Sequence, residues 1–478
     1  MSAVLAALIS GRAARAVTLA LCALTAAGAL ILMFFGIGTG AATEYMMGHF
    51  PRPWGNELRF GILEPLLVLL FSLVMLLTLL GGRKQLELDL EKSKSNLYYM
   101  MCDLVLASLI ALSYTNDIFT GYVFLEICTI AACGLLMIRQ IGRTTLAATR
   151  YMIFSLIGSG LFLLGIVFLY AVTGQLLMPD LKAAIVSLWA NGSYRTVLIT
   201  GISLVSIGLA VKSGLFPFHF WMPDTYGYAT PSSGGILSGL VSKGYIFLLI
   251  KLVLSVFTED VFYKSGLSNV LYVLGAAGII VGSIGALMEK DVFRMVAYSS
   301  AAQIGYIFMG IGISPDLGML AAVYHIMTHA LTKPMLFLAS AQLSQAAGGK
   351  KRENWLGAAH FNRAAGAAFG FGTLSMIGIP LTMGFVSKYR FALAAFEKSE
   401  LIVPTLVVLA ASTILNAMYF IRVLVVLYSS PAEDKPRVRI RDQIPFAVSA
   451  ALLILMNLAA GTAAKPLVGL ISRGLGLM

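Results

Sequence analysis

The sequence predicts an all-α polytopic membrane protein with about 13 transmembrane helices, and three observations lead to this prediction. Of its 478 residues, 59% are hydrophobic and 12% are charged, and the mean hydropathy is +0.87. Soluble domains carry about 25% charged residues. Apolar segments of about 20 residues recur along the chain, and each is long enough to cross a bilayer as a helix. Finally, the basic loop residues divide unequally between alternate loops.

The predicted spans follow the apolar segments in order. They run over 16–37, 61–80, 97–115, 118–138, 150–173, 195–216, 232–256, 268–287, 293–313, 317–344, 366–397, 403–428 and 444–462. Helices satisfy their own backbone groups in lipid without a closed barrel, so no strands are expected. The polar stretches at 38–60, 174–194, 345–365 and 429–443 are predicted to be loops, and no separate soluble domain is expected.

The basic loop residues predict the orientation of the chain. One set of alternate loops holds Arg12, Arg15, Arg83, Lys84, Lys92, Lys94, Arg139, Arg143, Arg150, Lys290, Arg294, Lys350, Lys351, Arg352, Arg363, Lys435, Arg437, Arg439 and Arg441. The other set holds only Arg52, Arg59, Lys182, Arg195, Lys264, Lys398, Lys465 and Arg473. Lys and Arg favour cytoplasmic loops. The N-terminus is therefore predicted on the cytoplasmic side of a cell membrane, and the C-terminus on the outer side. The net charge of +12 is therefore attributed to basic loops that orient the chain in the membrane, rather than to a surface that binds nucleic acid.

Several charged residues fall inside the apolar segments, where a charge costs about 3 kcal/mol or more and indicates function. They are Glu126, Lys212, Lys243, Lys333 and Lys388. The alternative interpretation is structural, with charges that pair to hold helices together. Lys251 and Arg422 lie near span ends, so both are expected to extend their charge to the membrane surface. Arg390 is left unassigned.

Glu126 and Lys212 form the predicted switchable pair. Burial favours the neutral form of a lysine, whereas a nearby carboxylate favours its charged form. A lysine whose glutamate partner moves away therefore releases a proton, and no redox group is needed. The four cysteines lie in apolar segments without a CxxC pair, so no disulfide, zinc or iron–sulfur role is expected.

His325, His329 and Lys333 are spaced by four in "VYHIMTHALTKPM", which places them on one helix face. Histidine titrates near neutral pH and can relay protons. Pro334 cannot donate to the carbonyl of Ala330, so a kink with a local water site is expected. A zinc site and a plain packing role are the alternatives. No carboxylate accompanies the histidines in the HExxH manner.

Two helices are predicted to be broken. The first break is at Pro217 in "VKSGLFPFHFWMPD", and the second is at Pro380 in "SMIGIPLTMGFVSKYRF". Each has a lysine nearby, Lys212 or Lys388. Broken helices at corresponding places in two halves of a membrane chain indicate inverted repeats of the transporter type.

Three stretches resemble the antiporter-like subunits shared by respiratory complex I, Mrp-type cation/proton antiporters and membrane-bound energy-converting hydrogenases. They are "VKSGLFPFHFWMPDTYGYATPSSGGILSGLVSKGYIFLL" (211–249), "EKDVFRMVAYSSAAQIGYIFMGIG" (289–312) and "YHIMTHALTKPMLFLASAQL" (324–343). The resemblance spans about 100–400. It implies two inverted repeats of about five helices, each with one broken helix.

The resemblance also implies a proton route through the chain. The ion-translocating roles fall on Glu126, Lys212, Lys243, His325, His329, Lys333 and Lys388, which are the residues already singled out on physical grounds. It divides the chain into N-terminal helices (1–96), an antiporter-like core (97–400, with repeats at about 97–256 and 268–400) and C-terminal helices (401–478). Members usually begin with one further span, whereas here only "MSAVLAALIS" precedes Arg12.

The predicted function is translocation of H⁺, and of Na⁺ as a second candidate ion, by a membrane subunit of a redox-driven complex. This chain is expected to bind no cofactor, and peripheral redox subunits and further membrane subunits are the expected partners. The alternatives are an Mrp-type antiporter subunit without a redox partner and a purely structural membrane anchor.

Overall fold

The computed structural model describes residues 1–50, 55–431 and 436–477, and its architecture is helical. The helices are α1 (Ser2–Leu8), α2 (Gly11–Thr39), α3 (Leu63–Gly81), α4 (Arg83–Asp89), α5 (Ser95–Tyr114), α6 (Ile118–Met137), α7 (Gly142–Thr173), α8 (Met178–Ala190), α9 (Arg195–Ser213), α10 (Met222–Tyr228), α11 (Pro231–Ile236), α12 (Ser242–Leu252), α13 (Glu259–Lys264), α14 (Leu267–Met288), α15 (Val292–Ile313), α16 (Leu317–Ala347), α17 (Ala358–Phe361), α18 (Arg363–Ile377), α19 (Met383–Ala395), α20 (Ser399–Tyr428), α21 (Ile444–Thr462) and α22 (Ala464–Leu475). Two π-helical turns, Leu237–Val241 and Val253–Phe257, flank α12.

Within the described residues, eleven helical segments are long and apolar enough to cross a membrane. They match eleven of the predicted apolar segments. The predicted segment 317–344 corresponds to α16, whose two histidines and one lysine lower its hydropathy. The predicted segment 366–397 corresponds to two half-helices, α18 and α19. The total number of spans and the orientation of the termini stay predictions. Arg52 and Lys435, two of the loop charges used for the orientation, lie outside the described residues.

The expectation of no strands is wrong for the loop at 38–60. Strands β1 (Thr43–Met46) and β2 (Glu57–Phe60) pair antiparallel, with Thr43 opposite Phe60. The rule that excludes strands applies to backbone that faces lipid. This hairpin lies in the loop between the apolar helices α2 and α3, and the second edge of β2 is bridged to the end of α5 through Leu58 and Thr115. The predicted loops at 174–194 and 345–365 also contain short helices, α8 and α17.

Lys251 contradicts the expectation that its charge reaches the membrane surface. Its side chain is 3% exposed, lies 3.8 Å from a carboxylate oxygen of Glu64, and donates to the carbonyl of Ser113 at 2.8 Å. Position near a span end does not reveal which neighbouring helix covers a side chain, and here α3 and α5 do so. Arg422 is exposed and Arg390 is half-buried.

Helices α7 and α9 approach each other through glycines spaced by seven. A Cβ at Gly165 would lie 2.7 Å from the carbonyl oxygen of Gly201, and a Cβ at Gly158 would lie 2.8 Å from that of Gly208. Helices α14 and α15 pack in the same manner, since a Cβ at Gly305 would lie 2.6 Å from the carbonyl oxygen of Gly275. Small residues let helix backbones come into direct contact in a membrane, where lipid gives little hydrophobic drive for association.

Among the eleven candidate spans of the described residues, Pro231–Phe257 and α15 are the most buried. In their most apolar stretches, 89% and 94% of the residues are buried inside the protein. Every described residue of α16 between Gly318 and Leu343 is also buried. These segments form the centre of the protein. They carry Lys243, His325, His329 and Lys333, so the charged and titratable side chains lie at the most protected part of the fold.

Candidate functional site

The first helix break positions Lys212. Helix α9 ends at Ser213, and Gly214 takes the left-handed conformation with φ 79°. A side chain at Gly214 would also collide with Met222, because a Cβ there would lie 2.4 Å from the sulfur. Glycine therefore suits this position for both its backbone and its space. The chain continues through Pro217 into a short 3₁₀ helix, Phe218–Trp221, which leaves Lys212 in the last turn of α9.

Lys212 forms an ion pair with Glu126, as predicted from the sequence. The Lys212 Nζ donates to Glu126 Oε1 at 2.9 Å and to Thr129 Oγ1 at 2.7 Å. The Ser159 hydroxyl also donates to Glu126. The lysine side chain is fully buried, whereas that of Glu126 is 24% exposed. The acidic partner thus reaches the protein surface and the basic partner does not.

The ion pair is extended inward by hydroxyl and aromatic groups. Thr129 Oγ1 lies 3.2 Å from the Tyr245 hydroxyl, and Lys212 Nζ is 5.6 Å from the centre of the Tyr245 ring. Tyr245 belongs to α12, two residues after Lys243. The cation is therefore supported by a carboxylate, a hydroxyl and an aromatic ring, which together offset the cost of burying its charge.

Lys243 and Lys333 share one hydrogen-bonded cluster in the centre of the protein. Lys243 Nζ donates to the carbonyl of Ser238 at 2.7 Å. The Ser238 and Ser300 hydroxyls are 2.8 Å apart, and Ser300 donates to the carbonyl of Val296 at 3.1 Å. Lys333 Nζ donates to that same carbonyl at 2.9 Å. The two lysines therefore meet at Ser238, whose carbonyl accepts from Lys243 and whose hydroxyl leads through Ser300 to the carbonyl that Lys333 contacts.

Both lysines also contact a hydroxyl directly. Lys243 donates to Ser242 Oγ at 3.0 Å, and Lys333 donates to Ser299 Oγ. Both side chains are 0% exposed, and no carboxylate pairs with either of them among the ion pairs of the described residues. Two buried amines supported by carbonyls and hydroxyls alone are poorly stabilised as cations.

The two histidines of α16 differ in their surroundings. His325 Nδ1 lies 2.7 Å from the Ser387 hydroxyl, and Ser387 immediately precedes Lys388. His329 is completely buried, and within the described part of the chain neither of its ring nitrogens has a hydrogen-bond partner. The two rings lie 6.5 Å apart, centre to centre. The histidines occupy the space between the lysine cluster and the second break.

The second break holds Lys388 against a free helix end. Helix α18 ends at Ile377, and Gly378 takes the left-handed conformation with φ 91°. Lys388 Nζ, on α19, donates to the carbonyl of Ile377 at 2.7 Å and to Thr413 Oγ1 at 2.9 Å. The lysine therefore bridges the two half-helices and satisfies a carbonyl that the interrupted helix leaves without a partner.

Asn457 of α21 also connects the second break to the rest of the fold. Its Oδ1 accepts from the backbone N–H of Met383, the first residue of α19, at 3.2 Å. Its Nδ2 donates to Ser375 Oγ and to Thr332 Oγ1, each at 3.1 Å. One amide side chain thus joins both half-helices and α16, at a position one residue before Lys333.

The structure places the predicted residues in three groups. The first group is the Glu126–Lys212 pair, and the second contains Lys243 and Lys333. The third contains the histidines of α16 and Lys388. Sequence reasoning missed the hydroxyl and amide groups that connect them. These are Thr129, Ser159, Ser238, Ser299, Ser300, Ser387, Thr413 and Asn457. Of these residues, only Asn457 could have been noticed in the sequence, because an amide side chain is conspicuous in an apolar segment.

The zinc alternative has no ligand set in the part of the chain that the structure describes. No group of three or more His, Cys, Asp or Glu residues there could hold a metal ion. The four cysteines are free. One nitrogen of His325 is already occupied by the Ser387 hydroxyl.

Comparison with known proteins identifies the family. A family model described as NADH:quinone oxidoreductase/Mrp antiporter, TM, matches residues 115–414. The chain is 34% identical over 388 residues to NADH-quinone oxidoreductase subunit N of Desulforudis audaxviator, which covers 80% of this chain and 75% of that protein. It is 27% identical over 443 residues to a subunit of the Na(+)/H(+) antiporter of Bacillus subtilis, covering 91% and 87%.

Two solved structures have the same fold. A chain of the membrane-bound sulfane sulfur reductase, an archaeal respiratory membrane complex, superposes with a TM-score of 0.89 at 26% identity, covering 99% of this chain and 96% of that one. A chain of the Mrp complex from Dietzia sp. superposes with a TM-score of 0.86 at 22% identity, covering 99% and 95%, and at that identity shows the fold alone. The chain, as its sequence motifs predicted, is a polytopic membrane protein that belongs to the NADH:quinone oxidoreductase/Mrp antiporter family of antiporter-like subunits.

Proposed function

We propose that this protein is the ion-translocating membrane subunit of a multi-subunit, redox-driven complex in the cell membrane. The observation that carries the proposal is the pair Lys243 and Lys333, two fully buried amines whose hydrogen-bond partners meet at Ser238, with no carboxylate among the described ion pairs. A structural role does not require two uncompensated cations at the centre of the fold. Proton transfer requires groups that can be either charged or neutral there.

The translocated ion in this proposal is H⁺, with Na⁺ as the second candidate. When Glu126 moves away, Lys212 loses the carboxylate that favours its charged form and gives up its proton. Lys243, Lys333, the histidines and Lys388 then carry the charge toward the second break. Moving one charge against 100 mV costs about 2.3 kcal/mol, which partner subunits must supply.

Homologous chains are subunits of multi-subunit membrane complexes, so other membrane subunits are partners of this chain. The peripheral redox subunits are part of the proposal. The higher identity with the NADH-quinone oxidoreductase subunit favours a redox-driven complex. The longer alignment with the Na(+)/H(+) antiporter subunit favours the second candidate function, an Mrp-type antiporter without a redox partner. In either case we expect this chain to bind no cofactor.

Replacing Lys243 by Met tests the proposed function. Uptake of H⁺ and of Na⁺ is measured in membrane vesicles that contain the native complex, at equal complex content by blotting. We expect uptake to fall by about a hundredfold, because positioned proton-transfer groups contribute on that scale. Lys264→Met is the matched control, since Lys264 is 66% exposed and pairs with Asp260 on its own helix. It should transport as the wild type does.

Normal transport by an assembled Lys243→Met complex would contradict the proposal. The driving reaction separates the two candidate functions. Transport that starts on addition of a reductant, together with co-purified iron–sulfur subunits, supports the redox-driven complex. Transport that needs only an imposed ion gradient, with no redox subunit in the purified complex, supports the antiporter.

A further inference from the structure

A polar cavity lies at the end of α12 away from the lysine cluster. Its volume is about 470 Å³, and it is lined by residues from the end of α2, the start of α3, the turn after α12, and α8 and α22. This volume is enough for several water molecules, and the polar lining gives them partners. In the predicted topology this is the outer side of the membrane, because the loop at 38–60 and Lys182 both belong to the outer set.

The Glu64–Lys251 ion pair lines this cavity. The pair is loose: Lys251 Nζ is 3.8 Å from Glu64 Oε1, while Glu64 Oε2 accepts from the backbone N–H of Gly61 at 2.8 Å. Lys251 donates one hydrogen bond, to Ser113. An ammonium group has three donors, so the remaining ones are available to water in the cavity.

The charges around the cavity indicate which ion can use it. Among the described residues, four basic ones line the cavity, Arg59, Lys182, Lys251 and Arg473, against two acidic ones, Glu44 and Glu64. Such a lining repels Na⁺ and attracts anions. Protons are not excluded in the same way, because they move by transfer between water and titratable side chains rather than as a free cation.

Helix α12 connects the cavity to the lysine cluster. Lys243, Phe247 and Lys251 are spaced by four, so they lie along one face of the helix. The two lysine Cα atoms are therefore about 12 Å apart along the axis. Phe247 is 1% exposed and lines the cavity, one turn from each lysine. On this face of α12, Phe247 thus lies between Lys251, which lines the cavity, and Lys243.

We propose that this cavity is the outer opening of a proton path to Lys243, with Phe247 as its barrier; this rests on the proposed function. A proton transferred from outside through the water of the cavity goes to the Glu64 carboxylate, which neutralises the partner of Lys251. Lys251 then releases a proton toward the Lys243 amine and regains one from Glu64. Phe247 must move for the transfer between the two lysines, so in the resting arrangement it prevents a leak.

Thiol labelling tests the opening without measuring transport. Ser255 lines the cavity and is half-buried, whereas its neighbour Val256 is buried and does not line the cavity. In the native complex, Ser255→Cys should react with a membrane-impermeant maleimide applied from the outer face. Val256→Cys and the wild type, with its four native cysteines, are the controls. Absence of labelling at position 255, or labelling only from the inner face, would overturn the proposal.

Phe247→Ala tests the barrier. Passive proton entry into vesicles under an imposed potential, with no substrate present, should rise several-fold over wild type. Phe257→Ala is the matched control, since Phe257 is equally buried and lies outside the cavity lining, and Phe247→Leu shows whether a smaller loss of volume suffices. If Phe247→Ala fails to assemble, Phe247→Leu decides: unchanged leak in that variant counts against the barrier.

The two proposals fail in different ways. If Lys243→Met stops transport while Glu64→Gln and both Phe247 variants leave transport and leak unchanged, the opening is wrong and the proposed function stands. If the cavity is only an anion site, phosphate should raise the melting temperature of the wild type and not of Arg473→Gln, with no change in leak for any variant. That result would also overturn the proton path.

Discussion

Lys212→Ala should abolish ion transport while the complex still assembles in normal amount. Lys212 is the single basic partner of Glu126 among the described ion pairs and lies at the end of α9, so its loss removes the charge that the glutamate acts on. We expect a loss of about a hundredfold, typical of a proton-transfer group. Transport is measured in vesicles at equal complex content, with exposed Lys465→Ala as the control.

A double variant separates this role from a structural one. Removing one member of a fully buried ion pair leaves an unpaired charge and is strongly destabilising, whereas replacing both members by neutral residues is often harmless. Here Glu126 is 24% exposed, so its charge keeps access to the surface when Lys212 is removed, and the single variant should still assemble. If the pair only holds α6 and α9 together, Glu126→Gln/Lys212→Met should restore both assembly and transport. If the pair moves protons, the double variant should assemble and remain inactive. Active transport in the double variant would refute the proposed mechanism.

Gly165→Val should prevent stable assembly, because it forces a side chain into the contact between two helix backbones. A Cβ at Gly165 would lie 2.7 Å from the Gly201 carbonyl oxygen and 2.8 Å from the backbone nitrogen of Val205. Backbone atoms cannot move aside by changing rotamer, so α7 and α9 must separate. Overpacking typically costs about 1–3 kcal/mol and occasionally more. Here it displaces whole helix backbones, and the break that carries Lys212 follows directly after α9.

The control for this variant lies on the same helix. Gly160 faces open space, with no heavy atom within 4 Å of an added Cβ, and Gly160→Val should assemble normally. Complex content by blotting and the melting temperature of the purified complex are the readouts. Equal stability of the two variants would mean that the α7–α9 contact does not limit assembly.

The sequence predicted the charged core of the site because burial makes such residues conspicuous. A lysine or glutamate in an apolar segment carries a large cost, so Glu126 and Lys212 could be identified and paired from the sequence alone. The contact between them is confirmed at 2.9 Å. The family resemblance is confirmed as well. The roles in transport of the seven predicted residues stay predictions.

The hydroxyl groups of the site could not be predicted in the same way. A serine in a membrane helix can donate to a carbonyl one turn earlier, as Ser300 does to Val296, so its presence carries no visible cost. Which serines face a lysine depends on how α15 packs against α16. Lys251 was misjudged for the same reason, since its burial depends on α3 and α5, which are distant in sequence.

The hydrogen bond from Lys388 to Ile377 has an electrostatic consequence. The C-terminal end of a helix carries a partial negative charge of about half an electron, from carbonyls aligned with the axis. At the second break, the end of α18 therefore acts as the counter-ion of Lys388. Glu126 has the same part for Lys212 at the first break. A protonated Lys388 attracts the end of α18 more strongly than a neutral Lys388 does. The protonation state of this one amine therefore affects how strongly the two half-helices are held together.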